Sequence, residues 1–113
     1  MCEIEKNLLY LKNAEPIVFE HDIKDALVIN GVIVVLLNIP PQARNNLNVY
    51  AFDVNGDFFW RIKPTDLYQK SKDCPYIGIA KLRDNTITLT NWCDTVITVD
   101  IISGDIVEKH HVK

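Results

Sequence analysis

Few side chains in this 113-residue chain sit where they could do chemistry together. The run Asp53-Val-Asn-Gly-Asp57 puts acidic and amide oxygens at alternate positions, as a calcium loop does at its start. A calcium loop also needs a further oxygen ligand and a distal bidentate Glu at fixed spacing, and neither follows here. A glycine hairpin turn accounts for the run without a metal. His110 and His111 are adjacent, and His21 is far away in sequence. Neighbours on a strand point to opposite faces, so one ion cannot readily take both. No Cys-x-x-Cys or His-x-x-x-His accompanies them. Cys93, beside Asp94, is the remaining candidate nucleophile, with Cys74 before Pro75 in a similar setting. A reactive thiolate needs a base within reach, and no flanking signature supplies one. The glycines are isolated, so no loop cradles phosphate. No catalytic, cofactor-binding or metal-binding residue is expected, and the chain reads as a non-enzyme.

The aromatic residues are more informative. Tyr50, Phe52, Phe58, Phe59, Trp60, Tyr68, Tyr76 and Trp92 gather in the middle and second half. Consecutive aromatics at 58–60 deliver a ring to both faces of any strand that holds them. One face can be core, and the other must lie under a loop (38–47 or 65–75), a second sheet or a partner. Tyr50, Phe58, Phe59, Trp60 and Trp92 are therefore the candidate contact or pocket residues.

Composition limits the partners. Lys and Arg are scattered, and the net charge is -3. With no basic stripe, phosphate neutralisation is not the expected mode, so nucleic acid is not an expected partner. The longest apolar run, Val32–Leu37, is far short of a membrane span. The N-terminal segment is acidic and lacks the basic start and continuous apolar stretch of a signal peptide. Cys2, Cys74 and Cys93 are an odd number without close spacing. They read as three free thiols in a reducing compartment, and the expected location is cytoplasmic.

The elements that position these residues are strands. β-Branched and aromatic residues run in short stretches cut by Gly, Asn, Asp and Pro. Residues 3–11 fit either a short helix or a strand. Residues 17–20 follow Pro16 as a strand. Asn30-Gly31 supplies the positive-φ pair of a type I′ hairpin between 26–29 and 32–37. The run 32–37 is apolar throughout and should be central, covered on both faces. A loop with Pro40 and Pro41 precedes strands over 48–52 and 57–62. A polar connection over 65–75, with room for a helical turn near Asp66, leads to strands over 76–82, 86–90, 95–99 and 105–112. Thr86, Thr88 and Thr90 alternate with Ile87 and Leu89, which marks one wet face.

The chain repeats itself. Val49, Asp53 and Gly56 align with Val96, Asp100 and Gly104, at an offset of 47 before the turn and 48 after it. The Asn30-Gly31 hairpin matches that at Asp84-Asn85. The stretch Val49-Tyr-Ala-Phe-Asp-Val-Asn-Gly-Asp-Phe-Phe-Trp60 resembles the blade motif of pyrroloquinoline-quinone-type β-propeller repeats. Val96 to Val107 resembles a degenerate second copy, with Glu108 where the motif has Trp. A propeller takes ~4–8 blades. This chain has material for two, so none of that family's cofactor or catalytic positions carries over.

The expected fold is all-β: one domain over 1–113, with two four-stranded antiparallel meanders packed as a sandwich or roll. The units span about 16–62 and about 76–112. The last strand is expected to pair beside residues 17–20 and hide an edge. The expected function is a small protein-interaction module, accessory or immunity-like, binding a protein partner or itself. The alternative is a ligand-binding β-domain with a pocket between the sheets lined by Tyr50, Trp60 and Trp92.

Overall fold

The computed structural model describes residues 2–12, 14–40, 43, 45–64, 74–93 and 95–111, excluding the side chains of 2, 110 and 111. It is all-β, with three antiparallel sheets. The N-terminal sheet holds β1 (Cys2–Glu5), β2 (Leu8–Leu11) and β3 (Ile17–Val18). The first meander holds β4 (Ile23–Ile29), β5 (Val32–Leu37), β6 (Val49–Asp53) and β7 (Phe58–Arg61) in sequence order. The second holds β8 (Tyr76–Arg83), β9 (Thr86–Asn91), β10 (Thr95–Asp100) and β11 (Ile106–His111).

The sheets stack as layers, with the first meander in the middle. Its strand β5 explains why. Every residue of β5 is buried. Ile33, Val35 and Leu37 pack with Leu9, Leu11, Phe19 and Phe52 on the N-terminal side. Val32, Val34 and Leu36 pack with Ile87, Leu89, Ile97 and Val99 on the other. An unbroken apolar strand needs cover on both faces, and here each face has its own core. The expectation that 32–37 is central holds.

Segment 3–11 is a hairpin, not a helix. Leu9 and Leu11 are buried and Tyr10 is exposed, the period of two of a strand with one wet face. Its tight Lys6-Asn7 turn places Lys6 at φ 54 without a glycine, so the positive-φ position itself is not announced. Strand β3 is short and belongs to this sheet, so the first meander begins at Ile23. The expected closure does not occur: β11 pairs only with β10, and β3 lies in the N-terminal sheet. The edge is managed differently, by bulges.

The meanders share a pairing scheme. The central pairings β5–β6 and β9–β10 run without interruption. Each edge-strand pairing of both meanders is interrupted. The extra residues are Lys24 and Phe59 in the first unit, and Ile77, Leu82 and Val107 in the second. Phe59 and Val107 occupy matching places, as do Lys24 and Ile77. Bulges twist an edge away from flat pairing, so these edges are poor templates for strand addition.

Candidate functional site

The two meanders are locked by one aromatic side chain. Trp60 pairs across from Ala51 and points at the second meander, where it is 5% exposed. Its indole Nε1–H donates to the Ile101 carbonyl at 2.7 Å. Its ring lies against Gly104, where an added Cβ would meet Trp60 Cγ at 2.6 Å. The Asp100–Gly104 turn presents this carbonyl and this bare backbone because Asp100 Oδ1 accepts from the amides of Ile102 and Ser103. Gly104 also donates to the Asp100 carbonyl. The matching turn of the first unit is built on Asp53 Oδ1, which accepts from Asn55 and Asp57. These Asp oxygens hold turns, which is what the glycine-turn reading of residues 53–57 requires.

At the opposite end, asparagines tie the layers together. Buried Asn48 donates to the carbonyls of Leu37 and Tyr76 and accepts from the Tyr76 amide, each at 2.9 Å. Asn46 accepts from the Cys74 amide. Asn91 Oδ1 accepts from the amides of Cys93 and Thr95. Arg61 reaches from β7 to the Leu47 carbonyl and Asn45.

Cys74 and Cys93 form a disulfide at this end, with Cα atoms 5.5 Å apart. This overturns the reading of three free thiols, and with it the support that reading lent to a reducing compartment. It also removes Cys93 as a nucleophile in this state. The pair lies just beyond the Tyr76–Asn91 bridge, where antiparallel alternation turns both sulfurs to the core side. Both residues are buried.

The expected site residues do not form one site. Tyr50 and Trp60 lie on opposite faces of the first meander. Tyr50 packs against Phe19 with ring centroids 5.5 Å apart, under the Arg61 guanidinium at 4.8 Å. Burial pushes its hydroxyl pKa up, Arg61 pulls it down, and Glu20 raises it. A pocket lined jointly by Tyr50, Trp60 and Trp92 is therefore not assembled, because Trp60 is spent in the contact between the meanders. Phe58 is 59% exposed and caps the row Phe19, Phe52, Phe58. Phe59 is 41% exposed at its bulge.

Trp92 is 69% exposed. Its amide donates to the Pro75 carbonyl at 3.0 Å, beside the disulfide. The alternation that puts Thr86, Thr88 and Thr90 on the solvent side continues to Trp92. The floor beside it is made of small side chains. By pairing register, Gly78, Thr90 and Val96 form one row, and Ala80, Thr88 and Thr98 the next. This is the face that corresponds to the core-packed face of the first meander. Thr86, Thr88 and Thr90 stand where Val32, Val34 and Leu36 stand. Thr98 and Glu108 pair as Ala51 and Trp60 do. The sequence signal for this surface was the threonine alternation, but its equivalence to a core face needed the register.

Among the described residues, no helix is long and apolar enough to cross a membrane, and no group of His, Cys, Asp and Glu could hold a metal ion. The possible helical turn near Asp66 and the side chains of His110 and His111 lie outside the described residues. Neither a search of the curated proteins nor one of the solved structures returns a match. A family model does match, over residues 1–111, and the chain belongs to that family, a domain of unknown function designated DUF7957.

Proposed function

We propose that this protein is a small non-catalytic contact module whose contact surface is the solvent face of the second meander, anchored by Trp92. The observation that carries the reading is an indole, 69% exposed, on a turn fixed by hydrogen bonds and a disulfide. Exposed tryptophans on ordered backbone make strong anchors, because little freedom remains to be lost on binding. The floor of Gly78, Ala80 and threonines lets a partner's backbone come close. The bulged edges favour side-chain contact over strand addition.

The blade-type repeat is part of this proposal. Support for it comes from the matching bulges and from Trp60 docked on the glycine turn of the next unit. Glu108 and the threonines stand in the second unit where Trp60, Val32, Val34 and Leu36 stand in the first, as in a repeat with a polar outer face.

The test is affinity capture from the native host with wild type and Trp92→Ala in parallel, with light scattering for self-association. The reading expects proteins, or a second copy, retained by wild type and lost with Trp92→Ala at unchanged thermal stability. Equal retention by both would reject Trp92 as the anchor.

A further inference from the structure

We propose that the Cys74–Cys93 disulfide is a redox latch on the Trp92 turn, holding the contact surface in one geometry when oxidised and releasing it when reduced. This deepens the contact-module reading and rests on it. The disulfide joins Cys74, two residues before β8, to Cys93, two residues after β9, and Trp92 lies between Cys93 and the end of β9. Cys93 and Thr95 donate their amides to one oxygen, Asn91 Oδ1, so the turn is a single hydrogen-bonded unit. That unit carries an internal opposition. Among the described residues, Asn91 Nδ2 and Thr95 Oγ1 are buried without a hydrogen-bond partner. Buried polar groups in that condition favour any rearrangement that gives them water. The disulfide holds the turn closed against this tendency. Once it is cut, opening satisfies both groups. The first meander has no such opposition at the matching place, where Asn48 is bonded through both side-chain atoms.

The chemistry needs a thiol–disulfide partner, and oxidised glutathione is sufficient. One cysteine thiolate attacks a glutathione sulfur and expels glutathione thiolate, giving a mixed disulfide. The second cysteine thiolate attacks the protein sulfur of that bond and expels the other glutathione. Two electrons pass from the cysteines to glutathione, and two protons leave with the reduced tripeptides. Reduction runs the same steps backwards.

Amide hydrogen exchange on the full chain tests the latch without any partner. Oxidised protein, protein reduced with glutathione and the Cys74→Ser/Cys93→Ser variant are compared. The amides of Cys93 and Thr95 should exchange at least ~10-fold faster in the latter two. Those of Leu37 and Ile62, bonded to Asn48 and Val49 carbonyls in the first meander, should stay unchanged. Oxidised glutathione should restore the slow rates in wild type and not in the variant. Unchanged rates at Cys93 and Thr95 would overturn the proposal. So would acceleration at all four amides, which would make the disulfide a staple of the whole fold. Resistance to glutathione in the folded protein would make it a permanent bond and would equally overturn it. Because exchange reads the turn and capture reads the partner, either proposal can fail while the other's measurement stands.

Discussion

Replacing Gly104 with alanine should destabilise the protein more than any other single methyl added to a turn. Two effects combine. Gly104 sits at φ +79, in the left-handed region, where a Cβ costs about 1–2 kcal/mol. The new Cβ would also lie 2.6, 2.8 and 2.9 Å from Trp60 Cγ, Cδ2 and Cβ. These atoms belong to the base of a buried ring held by its bond to Ile101, so the ring cannot swing aside. Overpacking of this kind adds about 1–3 kcal/mol, for a total of about 2–5 kcal/mol. Gly31 provides the control, because it has φ +80 and nothing within 4 Å of an added Cβ. Gly31→Ala should therefore show only the backbone part, about 1–2 kcal/mol. Urea unfolding of wild type and both variants measures the difference, with m-values unchanged if only stability has moved. If Gly104→Ala and Gly31→Ala agree within ~0.5 kcal/mol, the docking of Trp60 on that turn does not hold the meanders together.

Other consequences follow from the same contacts. Burial pushes the Tyr76 hydroxyl up from 10.0 to about 12. The unfolded chain then loses this proton first, so the group leaves stability unaffected below pH ~10 and removes up to ~1.4 kcal/mol per unit as pH rises toward 12. Tyr76→Phe should flatten that alkaline limb in unfolding experiments, and an unchanged limb would assign it elsewhere. Asn48→Ala strands buried groups of Leu37 and Tyr76, each worth about 1–3 kcal/mol when unpaired. Its midpoint in urea should therefore fall well below that of Asn45→Ala. Combining Glu108→Trp with Thr88→Val and Thr98→Ala rebuilds the first meander's packing face on the outside of the second. Light scattering should then show association beyond that of wild type, and a triple variant that associates no more than wild type would count against the equivalence of the two faces.

The strands were largely legible, because the signals that make them are local. Val32–Leu37 announces a doubly covered strand by composition, and Asn30-Gly31 announces its hairpin. The glycine turns at Gly56 and Gly104 align before any coordinate is known. What could not be read depends on register. A hairpin closing at Arg83–Thr86 without bulges would place Cys74 opposite Thr95. The interruptions at Ile77 and Leu82 each slip the pairing by one residue and bring Cys74 to Cys93 instead. Nothing in the residue types marks either slip. The hairpin at Lys6 was equally silent, because its positive-φ residue is a lysine held by tertiary contacts. One of these contacts is the bond from Ile23 N–H to the Lys6 carbonyl.

The same dependence on register explains why the aromatic residues divided as they did. Trp60 and Glu108 occupy matching places in units whose bulges coincide at Lys24 with Ile77 and at Phe59 with Val107, the second unit adding one at Leu82. One buries a ring in the neighbouring unit, and the other puts a charge at that place. Once Trp60 is committed to the Gly104 turn, it holds the layers and cannot also line a pocket. The matching surface of the second unit carries Thr86, Thr88 and Thr90 where the first carries Val32, Val34 and Leu36. With Gly78 and Ala80 these threonines form a floor of small side chains. Trp92 departs from this, a large apolar side chain exposed at the edge of a face of threonines and small side chains. Its exposure is not a by-product of a loose loop, since the turn beneath it is bonded to Pro75, organised by Asn91 and crosslinked through Cys93. The face that carries Thr86, Thr88, Thr90 and Glu108 where the first meander carries Val32, Val34, Leu36 and Trp60 thus has an indole fixed in water at its rim, the kind of anchor the proposed contact would use.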